Sequence, residues 1–149
     1  MNPTESAAAV LESPADLKRL LANARTIAVV GLSEKPERDS HAVAAYLQSR
    51  GYRIIGVHPS AKELLGEPAY PSLTAMDPKT RDAVDLVAIF RRPDDVPAVM
   101  EEAAALGRKA IWLPSGASSP AALETARRLG LTLVADKCLR SVHSVLFRG

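Results

Sequence analysis

The chain alternates short apolar runs with amphipathic segments, and this alternation limits its possible folds more than any other feature. The apolar runs cover about 26–31, 52–57, 84–90, 109–113 and 132–135. Strands that are apolar on both faces are typical of parallel sheets covered by helices. The segments between the runs carry apolar residues at helical spacing. We therefore predict an α/β fold, a Rossmann-like three-layer α/β/α sandwich with a mainly parallel sheet of about five strands.

Start and stop signals place the helices between these strands. They predict helices over about 14–24, from a cap at Asp39 or Ser40 to Gly51, over 93–106, from Ser118 or Ser119 to 129, and over 140–147. The small and polar residues of 1–12 predict a mobile lead-in. The remaining 13–149 have the length of one domain.

Composition excludes several classes of protein. A net charge of +2 and 4% aromatic residues argue against a nucleic-acid surface. The single cysteine, Cys138, excludes an internal disulfide and fits a reducing compartment. The N-terminus shows neither a signal peptide nor a membrane span, so we expect a cytoplasmic protein, a monomer or weak homo-oligomer. One cysteine and three dispersed histidines give no metal-ligand spacing.

The stretch 26–40 has the form of a phosphate-binding loop. An apolar run stops at Gly31, crosses a polar loop and enters a helix, as at the start of a nucleotide-binding βαβ unit. Gly31 is the only one of the three fingerprint glycines present. Lys35 and Arg38 offer positive charge in this loop, either to a ligand or only to solvent.

The carboxyl ends of the other predicted strands are also polar, basic or rich in glycine. In an open parallel sheet, ligands bind beyond these ends. The ends carry Gly31 and Ser33, then His58 and Pro59, then Arg91, Arg92 and Pro93, then Pro114, Ser115 and Gly116, then Asp136, Lys137 and Cys138. Such a set predicts a site for an anionic ligand.

The end of the second strand distinguishes between nucleotides. NAD-binding folds place an acid there to accept from the ribose hydroxyls, whereas this chain has Val57, His58 and Pro59. His58, Ser60 and Lys62 favour a phosphorylated ribose, because each of these side chains donates hydrogen bonds to phosphate oxygens. Both coenzyme A and NADP carry such a phosphate.

Several motifs in this order resemble the small stand-alone CoA-binding proteins, which are similar to the CoA-binding domain of the succinyl-CoA synthetase alpha subunit. The resemblance covers about 14–149. Its motifs are Val30-Gly31-Leu32-Ser33, then Pro36, Arg38 and Ser40, then Gly51-Tyr52, Val57 and Pro59, then Phe90-Arg91, then Trp112-Leu113 with Ser115-Gly116, then Ala135 to Leu139 with His143.

The resemblance implies a site for coenzyme A or acyl-CoA and assigns residues to its parts. The diphosphate would lie at Gly31, Ser33, Pro36, Arg38 and Ser40, and the adenosine near His58 and Lys62, while Phe90, Arg91 and Pro93 would border the cofactor. It also implies no catalysis by this domain alone. In the related ligases, the phosphorylated histidine and the nucleotide-grasp partner lie outside this domain.

Two other functions stay open as hypotheses, together with a redox reaction of Cys138. The first is an NADP-linked oxidoreductase or redox sensor, and the second is a subunit that signals to an unknown protein partner when its ligand binds. Cys138 and His143 suggest a nucleophile and base, but a packed cysteine and a structural histidine explain them more simply. Cys138 could also form a mixed disulfide with the CoA thiol. Trp112 lies on an apolar strand, so we expect it in the core.

Overall fold

The structure of the protein is a computed structural model that describes residues 9–148. In chain order, its helices and strands are β1 (Ala9–Val10), α1 (Pro14–Asn23), β2 (Thr26–Val30), α2 (Asp39–Ser49), β3 (Arg53–Val57), β4 (Glu63–Leu64), β5 (Glu67–Pro68), α3 (Pro78–Ala83), β6 (Leu86–Ile89), a 3₁₀ turn (Pro93–Asp95), α4 (Val96–Ala105), β7 (Ala110–Trp112), α5 (Pro120–Leu129), β8 (Thr132–Val134) and α6 (Leu139–Leu146).

Six strands form one parallel sheet in the order β1-β8-β7-β6-β2-β3, and β4 and β5 form a separate antiparallel hairpin. The predicted fold class is confirmed, with one strand more than expected. That strand is β1, whose flanking backbone N–H groups at Ala9 and Leu11 donate to Leu131 and Leu133 at 3.1 and 2.9 Å. Within the lead-in predicted over 1–12, Ala9–Val10 instead form a strand of the sheet. Residues 1–8 lie outside the described residues.

Helices cover both faces of the sheet and give the predicted three layers. Successive residues of β2 point to opposite faces. Ile27 and Val29 pack in one apolar cluster with α1, α2 and α6, whereas Ala28 and Val30 pack in another with α4 and α5. All four side chains are buried, which explains why this strand is apolar without alternation.

Serine side chains cap two helices at the predicted positions. Ser13 caps α1 and Ser119 caps α5, each accepting a hydrogen bond from a backbone N–H of the first turn. The cap predicted for α2 is wrong. The helix begins one residue earlier than expected, with Arg38 at the N-cap and no side-chain capping bond, so that Asp39 and Ser40 lie within its first turn.

The strand order creates a crevice beside β2. Its two neighbours are β3 and β6, and the helices that follow β2 and β6 cover opposite faces of the sheet. The loops after these two strands therefore diverge. This is the switch point at which open α/β sheets bind ligands.

Candidate functional site

Gly31 brings the loop after β2 into contact with the end of β6. Its φ of +87° lies in the left-handed region, and a Cβ built there would be 2.1 Å from the carbonyl oxygen of Phe90. The two strand ends are joined by a 2.7 Å hydrogen bond from the Phe90 N–H to the Val30 carbonyl. Any side chain at position 31 would separate them, so this close approach requires glycine.

Hydrogen bonds within the loop fix its path. The Ser33 N–H donates to Oγ of Ser40 at 2.9 Å, and the Lys35 N–H donates to Oγ of Ser33 at 3.0 Å. Nδ1 of His41 lies 2.9 Å from the Ser33 carbonyl oxygen. A carbonyl only accepts, so Nδ1 carries the proton in this bond. Ser40 and His41 therefore hold the loop, a role that sequence reasoning did not identify for His41.

A small pocket opens between this loop and Phe90. Its volume is about 340 Å³. It brings together Gly31, Ser33, Lys35, Arg38, Ser40 and Phe90, all predicted from the sequence, and adds Asp39. Two cations and one carboxylate thus line the pocket. Pro36 is exposed nearby and is not in its wall.

A larger cleft of about 870 Å³ continues from the small pocket and shares Asp39 and Phe90 with it. It runs across the ends of β6, β7 and β8. Its wall contains the predicted Arg91, Pro93 and Gly116, together with Ala42, Val43, Arg92, Asp95, Pro114, Ser115, Ala117, Cys138, Leu139, Arg140 and Ser141. Arg140 and Ser141 are the polar residues here that the sequence reasoning missed. They lie in the first turn of α6, beyond the strand end where site residues were sought.

The two adjacent arginines of this cleft differ in their partners. Nε of Arg92 lies 3.7 Å from a carboxylate oxygen of Asp95, with both side chains largely exposed. Such an exposed pair contributes little to stability. Among residues 9–148, Arg91 forms no ion pair, so its charge remains available to an anion in the cleft.

The loop between β8 and α6 is fastened to the end of β7. Asp136 has a φ of +61°, and its carboxylate accepts from the Gly116 N–H at 2.9 Å. Nε1 of Trp112 donates to the Lys137 carbonyl at 2.7 Å. Trp112 is fully buried, as predicted. These bonds hold one wall of the cleft and bring Cys138, the N-cap of α6, to its edge.

A further cleft of about 800 Å³ shares Gly116 with the large one and lies over the ends of β8 and β1. It is lined in part by the exposed apolar side chains of Val10 and Leu123 and by Lys137. The three openings follow one another along the carboxyl edge of the sheet.

His58 follows β3, on the other side of the loop 31–38 from these clefts. Its Nδ1 accepts the backbone N–H groups of 60–61 at 3.1 and 2.9 Å, and its Nε2 is 3.6 Å from the Glu34 carboxylate. Nε2–H is therefore the donor of this ring, and it faces the Glu34 carboxylate. His58, Pro59 and Lys62 line neither the small pocket nor the large cleft.

Cys138 and His143 point into different parts of the molecule. Five residues along a helix correspond to about 140° around its axis, so side chains at this spacing diverge. Cys138 lines the large cleft, whereas His143 is buried and its Nδ1 lies 3.0 Å from the hydroxyl of Tyr46.

Residues 9–148 hold neither a metal-binding cluster nor a membrane-spanning helix. No group of three or more His, Cys, Asp or Glu side chains is placed to hold a metal ion. No helix in this range is long and apolar enough to cross a membrane.

The strand order and the switch point define a Rossmann-like α/β domain. The model of the CoA binding domain family matches residues 25–144. The chain belongs to this family.

Relatives include both single-domain proteins and a larger enzyme. The uncharacterized protein YneT of Bacillus subtilis is 36% identical over 133 residues, which cover 89% of this chain and 96% of YneT. A Thermus thermophilus structure, cell-free ID.343, superposes with a TM-score of 0.82 at 35% identity, covering 91% of this chain and all of that one. The ADP-forming acetate–CoA ligase I of Archaeoglobus fulgidus is 27% identical over 80% of this chain but only 18% of the ligase.

Proposed function

We propose that this protein binds coenzyme A or an acyl-CoA along the carboxyl edge of its sheet and catalyses no reaction on its own. The observation that carries the proposal is the pair of adjoining openings at the switch point, a pocket with Lys35 and Arg38 and a larger cleft, which share Asp39 and Phe90 in their walls. It occurs in a chain of the CoA binding domain family.

The small pocket is the proposed site of the diphosphate. Lys35 and Arg38 outnumber its one carboxylate, Asp39, and both are exposed on the loop. The backbone N–H groups of Ser33 and Lys35 are already bonded to serine side chains. The diphosphate would therefore be held mainly by side-chain cations, unlike in a glycine-rich fingerprint loop.

The two ends of the cofactor would lie on opposite sides of this pocket. The adenosine and its phosphate would lie toward His58, Pro59 and Lys62, where Nε2–H of His58 would exchange the Glu34 carboxylate for a phosphate oxygen. The pantetheine would cross the ends of β6, β7 and β8 past Phe90, Arg91, Pro93 and Gly116. Three strand spacings, about 14 Å, separate β2 from β8. The cleft beyond Gly116 would leave room for an acyl group.

We propose no catalysis by this protein alone because, in a related ligase, the matching region is only a small part of the enzyme. The match to the acetate–CoA ligase covers 18% of that enzyme. A domain of this size supplies a binding surface, and ligase chemistry needs groups from further domains. The alternative, an NADP-linked oxidoreductase, is less favoured because the loop after β2 keeps only Gly31 of the three glycines in the dinucleotide fingerprint.

Isothermal titration calorimetry tests the proposal with CoA, acetyl-CoA and NADP under the same conditions. We expect saturable heat with CoA or acetyl-CoA and much weaker binding of NADP. No heat with either CoA species, where NADP binds, would overturn the proposal in favour of the oxidoreductase hypothesis.

A further inference from the structure

A second pocket lies at the opposite end of the strands from the proposed CoA site. It has a volume of about 390 Å³, and its wall includes Arg25, Arg50, Tyr52, His143 and Phe147. Arg25 directly precedes β2 and Tyr52 directly precedes β3. The pocket is therefore at the amino edge of the sheet, and the length of β2 separates it from the phosphate loop.

His143 is the buried polar group of this pocket, with 5% of its surface exposed. Its ring stacks on Phe147 at a centroid distance of 4.6 Å and meets the edge of Tyr52 at 5.5 Å. Nδ1 lies 3.0 Å from the Tyr46 hydroxyl, and Nε2 has no hydrogen-bond partner among residues 9–148. In that range, every fully buried side-chain nitrogen or oxygen has a partner. The unpartnered Nε2 is therefore not fully enclosed, and His143 lies in the wall of this pocket.

The surroundings of His143 are positively charged. The Arg50 guanidinium lies 5.3 Å from the Tyr46 ring centroid, and that of Arg140 lies 5.6 Å from it. Lys18 lies 5.7 Å from the centroid of Phe147. Within residues 9–148, neither these three cations nor Arg25 forms a salt bridge.

Asp85, whose carboxylate bonds to the backbone N–H of the wall residue Arg25, does not itself line the pocket. The carboxylate of Asp85 accepts the backbone N–H groups of Arg25 and Thr26, and Asp85 lies outside the pocket wall. Within residues 9–148, the wall of this cavity has a buried imidazole, two arginines and aromatic rings but no carboxylate, which is the composition of an anion site.

We propose that this pocket binds a small metabolite through an oxyanion, a carboxylate or a phosphate group held between Nε2 of His143 and the guanidinium of Arg50. The rings of Tyr52 and Phe147 would contact an apolar or planar part of the ligand. Burial and the charge of Arg50 lower the pKa of His143. In the proposed complex the Tyr46 hydroxyl donates to Nδ1, which leaves the proton on Nε2 to donate to the oxyanion.

The experiment is an NMR titration of the three histidine rings with two probes, inorganic phosphate and benzoate, at constant ionic strength. We expect a saturable shift of the His143 signal and a rise in its pKa, because a bound oxyanion counteracts the charge of Arg50. His41 and His58 lie at the carboxyl edge, beside the proposed CoA site, so their signals report separately on probe that binds there. Response to one probe alone would assign the ligand group, and response to both would assign a general oxyanion site.

Variants identify the residues that bind the probe. Arg50→Ala should weaken binding about tenfold, and His143→Phe should abolish it. Arg53→Ala is the matched control, since Arg53 lies at the same edge but pairs with Glu67 at 2.8 Å, and it should leave the affinity unchanged. Unchanged affinity in Arg50→Ala would overturn the proposal, as would a His143 signal that shows no saturable shift with either probe.

The same titration on CoA-saturated protein separates the two sites. The response of His143 to the probe should persist, because the pockets lie at opposite edges of the sheet. Loss of the response when CoA is added would show that the amino-edge pocket is not an independent site. Failure of CoA to bind at all would leave the His143 titration unaffected, so the two proposals fail separately.

Discussion

At Gly31, a single added methyl group would meet the backbone of a neighbouring strand. We predict that Gly31→Ala destabilises the protein by roughly 3 kcal/mol, since it combines a left-handed φ with a clash against the Phe90 carbonyl. Urea denaturation measures the change.

Gly107→Ala is the control for that substitution. Gly107 also has a positive φ, +75°, but a Cβ there would meet nothing within 4 Å. Gly107→Ala should therefore lower the free energy of unfolding by about 1–2 kcal/mol, from backbone strain alone. Equal losses in the two variants would show that the contact between Gly31 and Phe90 adds nothing.

Arg38 is the residue on which the proposed diphosphate site depends most. We predict that Arg38→Ala raises the Kd for CoA about tenfold or more, as expected for the loss of one charge-assisted hydrogen bond. Isothermal titration calorimetry checks this. Arg19→Ala is the control, because Arg19 lies on α1, away from both clefts, and pairs with Asp16. An unchanged Kd in Arg38→Ala would place the diphosphate elsewhere.

The sequence predicted which residues lie at the candidate site better than it predicted their hydrogen-bond partners and backbone conformations. Six of the predicted residues line one pocket, because residues at the ends of parallel strands necessarily meet at one edge. The bond between His41 and the Ser33 carbonyl and the left-handed conformation of Asp136 depend on tertiary contacts. No spacing along the chain signals either one.

Among the elements, α3 is fastened to the preceding connection through its N-cap. Asp77 accepts from the backbone N–H of Thr80 at 2.9 Å, from its hydroxyl at 2.7 Å, and from the hydroxyl of Tyr70 at 3.0 Å. Tyr70 in turn bridges to Val57 in β3. These bonds, the Thr80 N–H first, lower the pKa of Asp77 from 3.8 to about 2.

A lowered carboxyl pKa predicts a loss of stability in acid. The contribution of Asp77 is present above its unfolded-state value and is lost as the pH falls through the folded value, that is, from about 4 to about 2. Urea midpoints measured across this window should fall less steeply in Asp77→Asn, which keeps a capping oxygen but does not titrate. Parallel pH profiles in the two proteins would contradict the assignment.

The order and type of the larger elements followed from periodicity, whereas short elements and one cap did not. Two-residue strands such as β1 have no period to detect, and β1 exists because β8 offers it a free edge. At α2, a capping serine is present in the sequence. Its hydroxyl bonds to Ser33 across the loop, so the tertiary contact replaces the local one.

At the scale of the whole molecule, the parallel sheet gives the two proposed sites different edges. Loops that follow strands gather at the carboxyl edge, where the small pocket and the large cleft join. Residues that precede strands gather at the amino edge, around His143. The sheet between them belongs to one continuous set of strand pairings from β1 to β3.

Because one sheet supports every strand end of the carboxyl-edge site, CoA should stabilise the protein as a unit. At about 100 times its Kd, the ligand should add about 2.7 kcal/mol, which raises the thermal midpoint by roughly 5–10 °C at this chain length. Calorimetry should show one transition that shifts as a whole. In Arg38→Ala, a tenfold weaker Kd at the same CoA concentration should about halve the shift. Two transitions, with only one sensitive to CoA, would contradict a single domain over 13–149, and a midpoint unmoved by CoA would contradict binding.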